Sequence, residues 1–313
     1  MDAGLLQQML IGALLGLSVS LPLRCGQLSL ATPGFFAIGG TVAALLSTRI
    51  PAFAGTGATS PLPALLLEMG LGGLLAGLLA WAIGGTVLRL RGIYLAIATI
   101  ALVEILRVIT LNLPFTGGAL GIFGIPQPFA TASGYAGFTL VLLALVCWLC
   151  ARLEQLRLGR AMAAIRDDEL AAACVGIDTA AVKLNAFVLS ALLAGVTGAL
   201  AAHFLNSWNA KVGSFDASIT TLAFVVFGGS RTWLGPVIGG LVLTALPELL
   251  RPVGDLRLIV FGLVILLGPV LFPQGLITPQ ALHGLGHGLL GFGQQLRGYG
   301  HQLLERASGP RRP

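Results

Sequence analysis

The densest group of charged side chains lies in residues 159–178, GRAMAAIRDDELAAACVGID, which is also rich in alanine. Ten of the thirty charged residues (18 Lys and Arg plus 12 Asp and Glu) fall within 152–183. A short helix of this composition suits docking into a groove on a soluble partner, because small side chains permit close approach and charges fix the register. Gly176 is well placed to end such a helix as its left-handed cap. The alternative is a helix that lies solvated at a membrane surface, and composition does not separate the two.

A second pair of ionisable residues, Glu104 and Arg107, interrupts an otherwise apolar run. The two are three positions apart, so on a helix they share one face within pairing distance. Unpaired near the centre of a bilayer, each would cost about 2.5–3.5 kcal/mol. Two interpretations follow. The residues pair structurally, with Arg107 extending towards the nearer surface, or they line the path of a zwitterionic solute.

Signatures of enzymes and of metal sites are missing from the sequence. It contains no G-x-x-x-x-G-K-[ST] phosphate loop and no G-x-S-x-G nucleophile motif. His283 and His287 are four apart, but no carboxylate or cysteine accompanies them, and we expect no metal site. Cys147 and Cys150 share a helix face as small hydrophobic residues. We expect His203, at the end of an apolar helix, to be an interfacial histidine.

The elements that carry these residues are predicted to lie in lipid. The 313-residue chain is 56% hydrophobic and 10% charged, with a mean hydropathy of +0.93, whereas soluble domains carry about 25% charged residues. We therefore predict an all-α, polytopic transmembrane helix bundle of about 8–10 spans with a cytoplasmic coupling helix. The net charge of +6 does not indicate nucleic-acid binding, because the cationic residues form no long run and mostly flank apolar spans.

Nine apolar stretches are predicted as spans. They lie near residues 3–22, 34–50, 63–88, 92–111, 135–152, 184–204, 217–230, 232–250 and 257–273. The flanking Lys and Arg residues place 152–183 on the cytoplasmic side, in agreement with Arg24 and Arg91. Residues 1–276 are the predicted transmembrane domain, and 277–313 a cytoplasmic tail.

The span at 217–230 is unusually short. At 1.5 Å per residue it reaches about 20 Å, less than the roughly 30 Å of a hydrocarbon core, and it ends at Gly228 and Gly229. Short, glycine-interrupted membrane segments are often discontinuous helices that line an internal cavity. The alternative is a full helix whose ends are shielded by its neighbours. Gly235 and Gly239, four apart, predict close helix packing.

The sequences of several of these segments are similar to those of one known family. The run Glu169, Ala171, Ala172 and Gly176 is similar to the cytoplasmic coupling loop of ABC importer permeases. Other matching stretches follow in order: LRLRGIYLAIATIALVEILRVI (88–109), TGGALGIFGIP (116–126), VVFGGSRTWLGPVIGG (225–240) and FPQGL (272–276). Together they resemble the LivM-type permeases of branched-chain amino acid ABC transporters.

Two segments depart from the family pattern. In GQLSLATPGFFAIGG (26–40), Ala31 stands where glycine is usual and Pro33 is inserted into the polar turn. Arg231 replaces the common small residue of the glycine motif. Both changes bear on substrate preference more than on family membership.

The resemblance implies a multi-subunit importer in a bacterial inner membrane. This chain would pair with a second related permease subunit, two cytoplasmic ATPase subunits and a periplasmic solute-binding protein. It would bind no cofactor and catalyse no reaction, since ATP is bound by the partner subunits. Branched-chain or other small neutral amino acids are the expected cargo, with urea or short amides as the alternative.

The resemblance also assigns roles to particular residues. A coupling helix at about 159–176 would receive motion from the ATPase through Arg160, Arg166, Asp168, Glu169, Ala172 and Gly176. The translocation path or gate would include Glu104, Arg107, Thr116, Gly117, Gly118, Gly228 and Gly229. Lys211 and Asp216 are expected to be loop charges on the periplasmic side.

Two other classes of protein are alternatives. A secondary transporter or channel would work without ATPase subunits, but a docking helix has no purpose without a docking partner. A membrane enzyme is disfavoured because the sequence shows no convergent catalytic or metal cluster.

Overall fold

The computed structural model describes residues 3–50, 62–230, 232–271 and 275–276. In these ranges the chain forms α1 (Ala3–Leu23), α2 (Thr32–Arg49), α3 (Leu62–Val87), α4 (Ile93–Asn112), α5 (Ala132–Gln155), α6 (Arg157–Asp167), α7 (Glu169–Cys174), α8 (Thr179–Leu205), α9 (Phe215–Gly228), α10 (Leu234–Leu249) and α11 (Arg257–Leu271). Short 3₁₀ turns lie at Pro114–Thr116, Ala210–Val212 and Arg251–Leu256. Two-residue strands β1 (Ile122–Phe123) and β2 (Ser207–Trp208) pair antiparallel. Each of the nine predicted spans is a helix.

The helices have the lengths and surfaces of membrane spans. Helices α1, α3, α4, α5 and α8 are each long and apolar enough to cross a bilayer, while α9 and α10 are shorter. Large apolar side chains such as Leu67, Trp81 and Val141 are exposed on the outward faces of α3 and α5. A contiguous apolar exterior of this kind marks a surface that lipid or another protein covers. The chain is a polytopic helical membrane protein, as its composition predicts.

Helix α8 occupies the centre of the bundle and packs most extensively against α3 and α2. The backbones approach so closely that a Cβ added at Gly39 would lie 2.1 Å from the carbonyl oxygen of Gly195. A Cβ added at Gly195 would lie 2.7 Å from the carbonyl oxygen of Gly72. Glycine is therefore required at these positions. Such contacts let helices associate through dispersion where lipid removes most of the hydrophobic drive.

Polar side chains connect α8 to its neighbours at mid-length. The Ser18 hydroxyl of α1 donates to the Ser190 carbonyl oxygen at 2.7 Å. The Ser190 hydroxyl lies 3.4 Å from that of Thr32, the first residue of α2. All three side chains are buried. These bonds fix the relative heights of three helices, because a slip would leave buried hydroxyls unpaired.

His203, near the end of α8, is buried rather than interfacial, which corrects the prediction. Its Nε2 contacts the Glu68 carboxylate of α3, and both side chains are fully buried. Its Nδ1 lies 2.7 Å from the carbonyl oxygen of Pro126. A carbonyl can only accept, so Nδ1 carries a proton and donates it. The contact to Glu68 then holds one further proton between the two side chains, on either the ring or the carboxylate.

Contacts between the connecting segments define two opposite ends of the bundle. We call the end with residues 24–26, 88–92, 156–178, 229–230 and 232–234 the hairpin face. There Arg24 pairs with Glu154 at 2.9 Å. We call the end with residues 113–131 and 206–212 the loop face. There β1 pairs with β2, and Asn209 Nδ2 donates to the Ala119 carbonyl oxygen at 2.8 Å.

The single helix expected over 159–176 is wrong, because the chain forms two helices there, α6 and α7. They are separated at Asp168, whose backbone is extended (φ −154, ψ 111). The Asp168 carboxylate accepts hydrogen bonds from the N–H groups of Leu170 and Ala171 at 2.8 and 3.0 Å. An aspartate that satisfies the open donors of a new helix competes with continuation of the preceding one. Gly176 follows α7 with a φ of +86, the predicted left-handed conformation.

Helix α9 begins at the mid-depth of the bundle instead of at the loop face. The N–H of its first residue, Phe215, donates to Glu104 Oε1 at 3.2 Å. Glu104 lies eight residues before Asn112, the end of α4, and thus about 12 Å below that end. The 14 residues of α9 span about 21 Å from there to the hairpin face. This geometry favours the discontinuous helix over the full span.

Replacing Gly239 with alanine should destabilise the protein. The added Cβ would lie 1.9 Å from the Phe224 carbonyl oxygen, so α9 and α10 would have to separate, at a cost of about 1–3 kcal/mol. The measurement is the thermal unfolding midpoint of the purified protein in detergent. Gly137→Ala in α5 is the matched control, because a Cβ there meets nothing within 4 Å. Equal midpoints for the two variants would contradict the close packing.

Candidate functional site

The hairpin, residues 157–176, comprises α6, α7 and the turn that ends at Gly176. One of its sides is anchored to the bundle and the other is open. Met162 of α6 is buried in a cluster with Cys25 and Ala186. Leu170 and Val175, by contrast, are 71% and 77% exposed. Large apolar side chains exposed together at the end of a polar segment are typical of a surface that another protein covers. Neither residue stands out in the sequence.

Several of the predicted coupling side chains hold the hairpin itself in place. Arg160 Nη1 donates to the Gln155 carbonyl oxygen at 2.7 Å. Arg166 Nη2 donates to Ser230 Oγ at 3.1 Å, which connects α6 to the turn between α9 and α10. Asp168 caps α7, as described above. These residues shape the hairpin and connect it to the bundle.

The remaining predicted coupling residues lie in or after α7. Among the six described residues of α7, only Ala172 is buried. Gly176 ends the hairpin and has no atom within 4 Å of the position of a Cβ. Glu169 begins α7, and its carboxylate points back to the bundle.

Glu169 joins the hairpin to two membrane helices through a group we call the clasp, which comprises Arg91, Glu169 and Lys183. Glu169 Oε1 lies 2.6 Å from Lys183 Nζ and 3.4 Å from Arg91 Nη2. Lys183 is buried in the second turn of α8. Burial raises the pKa of the neighbouring Cys25 thiol to about 12 against the opposing charges of Lys183 and Arg24. The Lys183 side chain itself is 10% exposed.

Glu104 and Arg107 form the pair that their spacing predicts. Arg107 Nε donates to Glu104 Oε2 at 2.7 Å, and Arg107 Nη2 lies 2.6 Å from the same oxygen. The side chains remain 35% and 30% exposed on the outer face of α4. A paired charge that faces acyl chains is costly. This part of α4 therefore requires a polar or protein environment.

Asp216 directly follows Phe215, whose N–H donates to Glu104, and the sequence did not indicate this proximity. It is the second residue of α9 and is exposed. The prediction of a loop charge is therefore wrong: Asp216 lies in the first turn of a helix that starts at the depth of Glu104. The only sequence signal was the shortness of the span, which did not indicate where the helix begins.

The other predicted path and gate residues lie at the two ends of the bundle. Thr116 is buried on the loop face, and its hydroxyl donates to the Leu113 carbonyl oxygen at 2.8 Å. Gly117 and Gly118 follow it with φ values of +73 and +58. Gly228 and Gly229 end α9 at the hairpin face. The structure does not bring these residues together with Glu104 and Arg107.

The chain is similar in sequence to known proteins of one transport family. Residues 1–268 match the family described as branched-chain amino acid transport system, permease component. The high-affinity branched-chain amino acid transport system permease protein LivM of Escherichia coli (strain K12) is 32% identical over 293 residues, which cover 84% of this chain and 66% of LivM. The chain thus spans slightly less than two thirds of that relative. No solved structure matches it significantly.

Two further relatives are permeases as well. The ribose import permease protein RbsC of Escherichia coli (strain K12) is 27% identical over 283 residues, which cover 84% of this chain and 82% of RbsC. The branched-chain amino acid permease protein LivH of the same organism is 37% identical over 87 residues, 28% of each chain. The match over residues 1–268 and the identity to LivM confirm the resemblance drawn from the motifs: the chain belongs to the family of permease components of branched-chain amino acid transport systems.

Proposed function

We propose that this chain is a membrane-spanning permease subunit of an ATP-driven importer in a bacterial inner membrane. The observation that carries the proposal is the hairpin, a polar segment between two long apolar helices that exposes Leu170 and Val175. On this proposal the hairpin face is cytoplasmic, in agreement with the flanking arginines. Two ATPase subunits dock on the hairpin, and a solute-binding protein docks on the loop face.

A second, related permease covers the outer face of α4. Glu104 and Arg107 are about one-third exposed there, and lipid would penalise them. A second permease would enclose them, together with the start of α9, in a polar path between the two subunits. ATP-driven movement of the hairpins then opens that path alternately to each side of the membrane.

The charges on this path favour an amino acid as the cargo. A zwitterion carries an ammonium group that Glu104 and Asp216 attract and a carboxylate that Arg107 attracts. Ribose, urea and short amides carry no net or paired charges and would gain little from these residues. Branched-chain or other small neutral amino acids are therefore the proposed substrates.

Uptake by the assembled transporter tests this function. The chain is purified with the subunits that bind it, reconstituted in vesicles with its solute-binding protein, and supplied with labelled leucine, alanine, ribose or urea. We expect ATP-dependent uptake of the amino acids alone. Uptake of ribose or urea in preference to leucine would refute the substrate assignment, and uptake without ATP would refute the class of transporter.

Replacing Leu170 with glutamate should release the ATPase subunits. The buried centre of an interface excludes an unpaired carboxylate, so we expect binding at least about tenfold weaker. The measurement is the amount of ATPase subunit that co-purifies with the permease. Leu120→Glu makes the same change at an exposed residue of the loop face and should leave the ATPase bound. Normal association of the Leu170→Glu variant would contradict docking at this surface.

Replacing Glu104 with glutamine should reduce uptake at least about fivefold while the protein still accumulates in the membrane, because a path carboxylate contributes attraction for the substrate ammonium group. Glu248→Gln is the matched control, since Glu248 pairs with Arg251 at the same i, i+3 spacing and 3.0 Å. We expect it to leave uptake intact. If Glu104→Gln instead lowers the amount of protein and spares its transport, the pair is structural.

A further inference from the structure

We propose that Glu169 is a positioning residue that transmits hairpin motion into the membrane helices through the clasp, instead of a contact for the ATPase. The inference rests on the proposed function, since it concerns how the hairpin acts once an ATPase moves it. It gives Lys183 and Arg91 roles that the sequence did not suggest. It also divides the hairpin into an outer surface that binds the ATPase and an inner residue, Glu169, that transmits the motion to the membrane helices.

The direction of the Glu169 side chain supports this division. The carboxylate is 27% exposed and faces the bundle, where one oxygen, Oε1, meets both Lys183 Nζ and Arg91 Nη2. The next residue, Leu170, is 71% exposed on the outside. An ATPase that covers Leu170 therefore contacts the exposed side of α7, while Glu169 holds the opposite side of α7 against the bundle.

The clasp is the main side-chain link between α7 and the membrane helices. Leu170 and Val175 are exposed, and Ala172 is the one buried residue among the six described residues of α7. A single small apolar side chain buries little surface and resists displacement weakly. Besides the backbone of residues 175–178, which joins α7 to α8, a force on α7 therefore reaches the bundle through the ion pair at 2.6 Å.

The two arms of the clasp lead to different helices. Lys183 is part of α8, which contacts α1 and α2 through Ser190. Arg91 precedes α4, which carries Glu104 and Arg107. The clasp thus connects the hairpin both to the central helix and to the helix with the charged pair.

The arms also differ in strength. Lys183 is buried, so its separation from Glu169 would leave an ammonium group uncompensated in a dry site. The Arg91 side chain is 72% exposed and its distance to Glu169 is longer, 3.4 Å, so water and salt weaken that arm. The ion pair between Lys183 and Glu169 therefore stays intact while the hairpin moves, and α8 moves with the hairpin.

A charge-reversal cycle tests the clasp. Glu169→Lys and Lys183→Glu are made singly and together in the full transporter, with Lys183→Arg as the conservative variant. We expect each single reversal to lower the amount of substrate imported per ATP hydrolysed at least about tenfold, and the double reversal to recover most of it, because the two changes restore an opposite pair. Lys183→Arg should remain close to wild type.

Three results would overturn the clasp. These are a double reversal that transports no better than the single ones, the absence of the ATPase subunits from purified Glu169→Lys, and an equal loss of coupling in Asp167→Lys. Asp167 is exposed at the end of α6, so this control reverses a charge on the hairpin outside the clasp. Loss of the ATPase from Glu169→Lys would show that Glu169 binds it directly.

Hydrogen exchange on the permease alone separates the clasp from the proposed function. Amides of residues 170–175 should exchange faster in each single reversal and slow again in the double reversal, since the ion pair holds α7 against the bundle. Exchange that is the same in all four proteins would refute the clasp. Failure of the proposed function shows differently, as a wild-type chain that binds no ATPase and imports no amino acid.

Discussion

The position of α8 at the centre of the bundle is the constraint on which the other contacts depend. Lipid offers little hydrophobic drive for helices to associate, so α8 is held by backbone contact with α2 and α3 at Gly39, Gly72 and Gly195. Along this one helix lie Lys183 with its partner on the hairpin, Ser190 with partners on α1 and α2, and His203 with Glu68 of α3. A rigid helix that is bonded at both ends and at mid-length can carry a displacement from one face to the other.

The placement of charge shows which surfaces meet lipid. The exposed faces of α3 and α5 are apolar, and Glu68 and His203 pair with each other in the interior. The pair of Glu104 and Arg107 is the contrasting case, because it is satisfied in geometry but still partly exposed at the depth where α9 begins. A bilayer would penalise this surface, whereas a second subunit and a zwitterionic solute would both be complementary to it. The cost of exposing charged side chains to lipid thus supports both the fold and the proposed path.

The sequence predicted the nine spans because long apolar runs have few alternatives in a bilayer. It also predicted the Glu104–Arg107 pair and the Gly176 cap, since both depend on residues close together in the chain. It did not predict the pairing of Glu68 with His203, which are 135 positions apart. The break at Asp168 was missed because an aspartate within an alanine-rich run can continue a helix or cap a new one. The inward direction of Glu169 depends on Lys183, which only the packing of α7 beside α8 brings close.

Labelling of Cys174 is the most direct test of the central claim that the hairpin lies in the cytosol and receives the ATPase. Cys174 is exposed at the end of α7, whereas Cys25 and Cys150 are buried and Cys147 is half-buried within α5, so the native chain carries its own probe. A membrane-impermeant maleimide should label Cys174 in inside-out vesicles stripped of the ATPase, and bound ATPase should protect it. Right-side-out vesicles should remain unlabelled, and Cys174→Ser should remove the signal. Labelling of Cys174 from the outside of right-side-out vesicles would contradict the account.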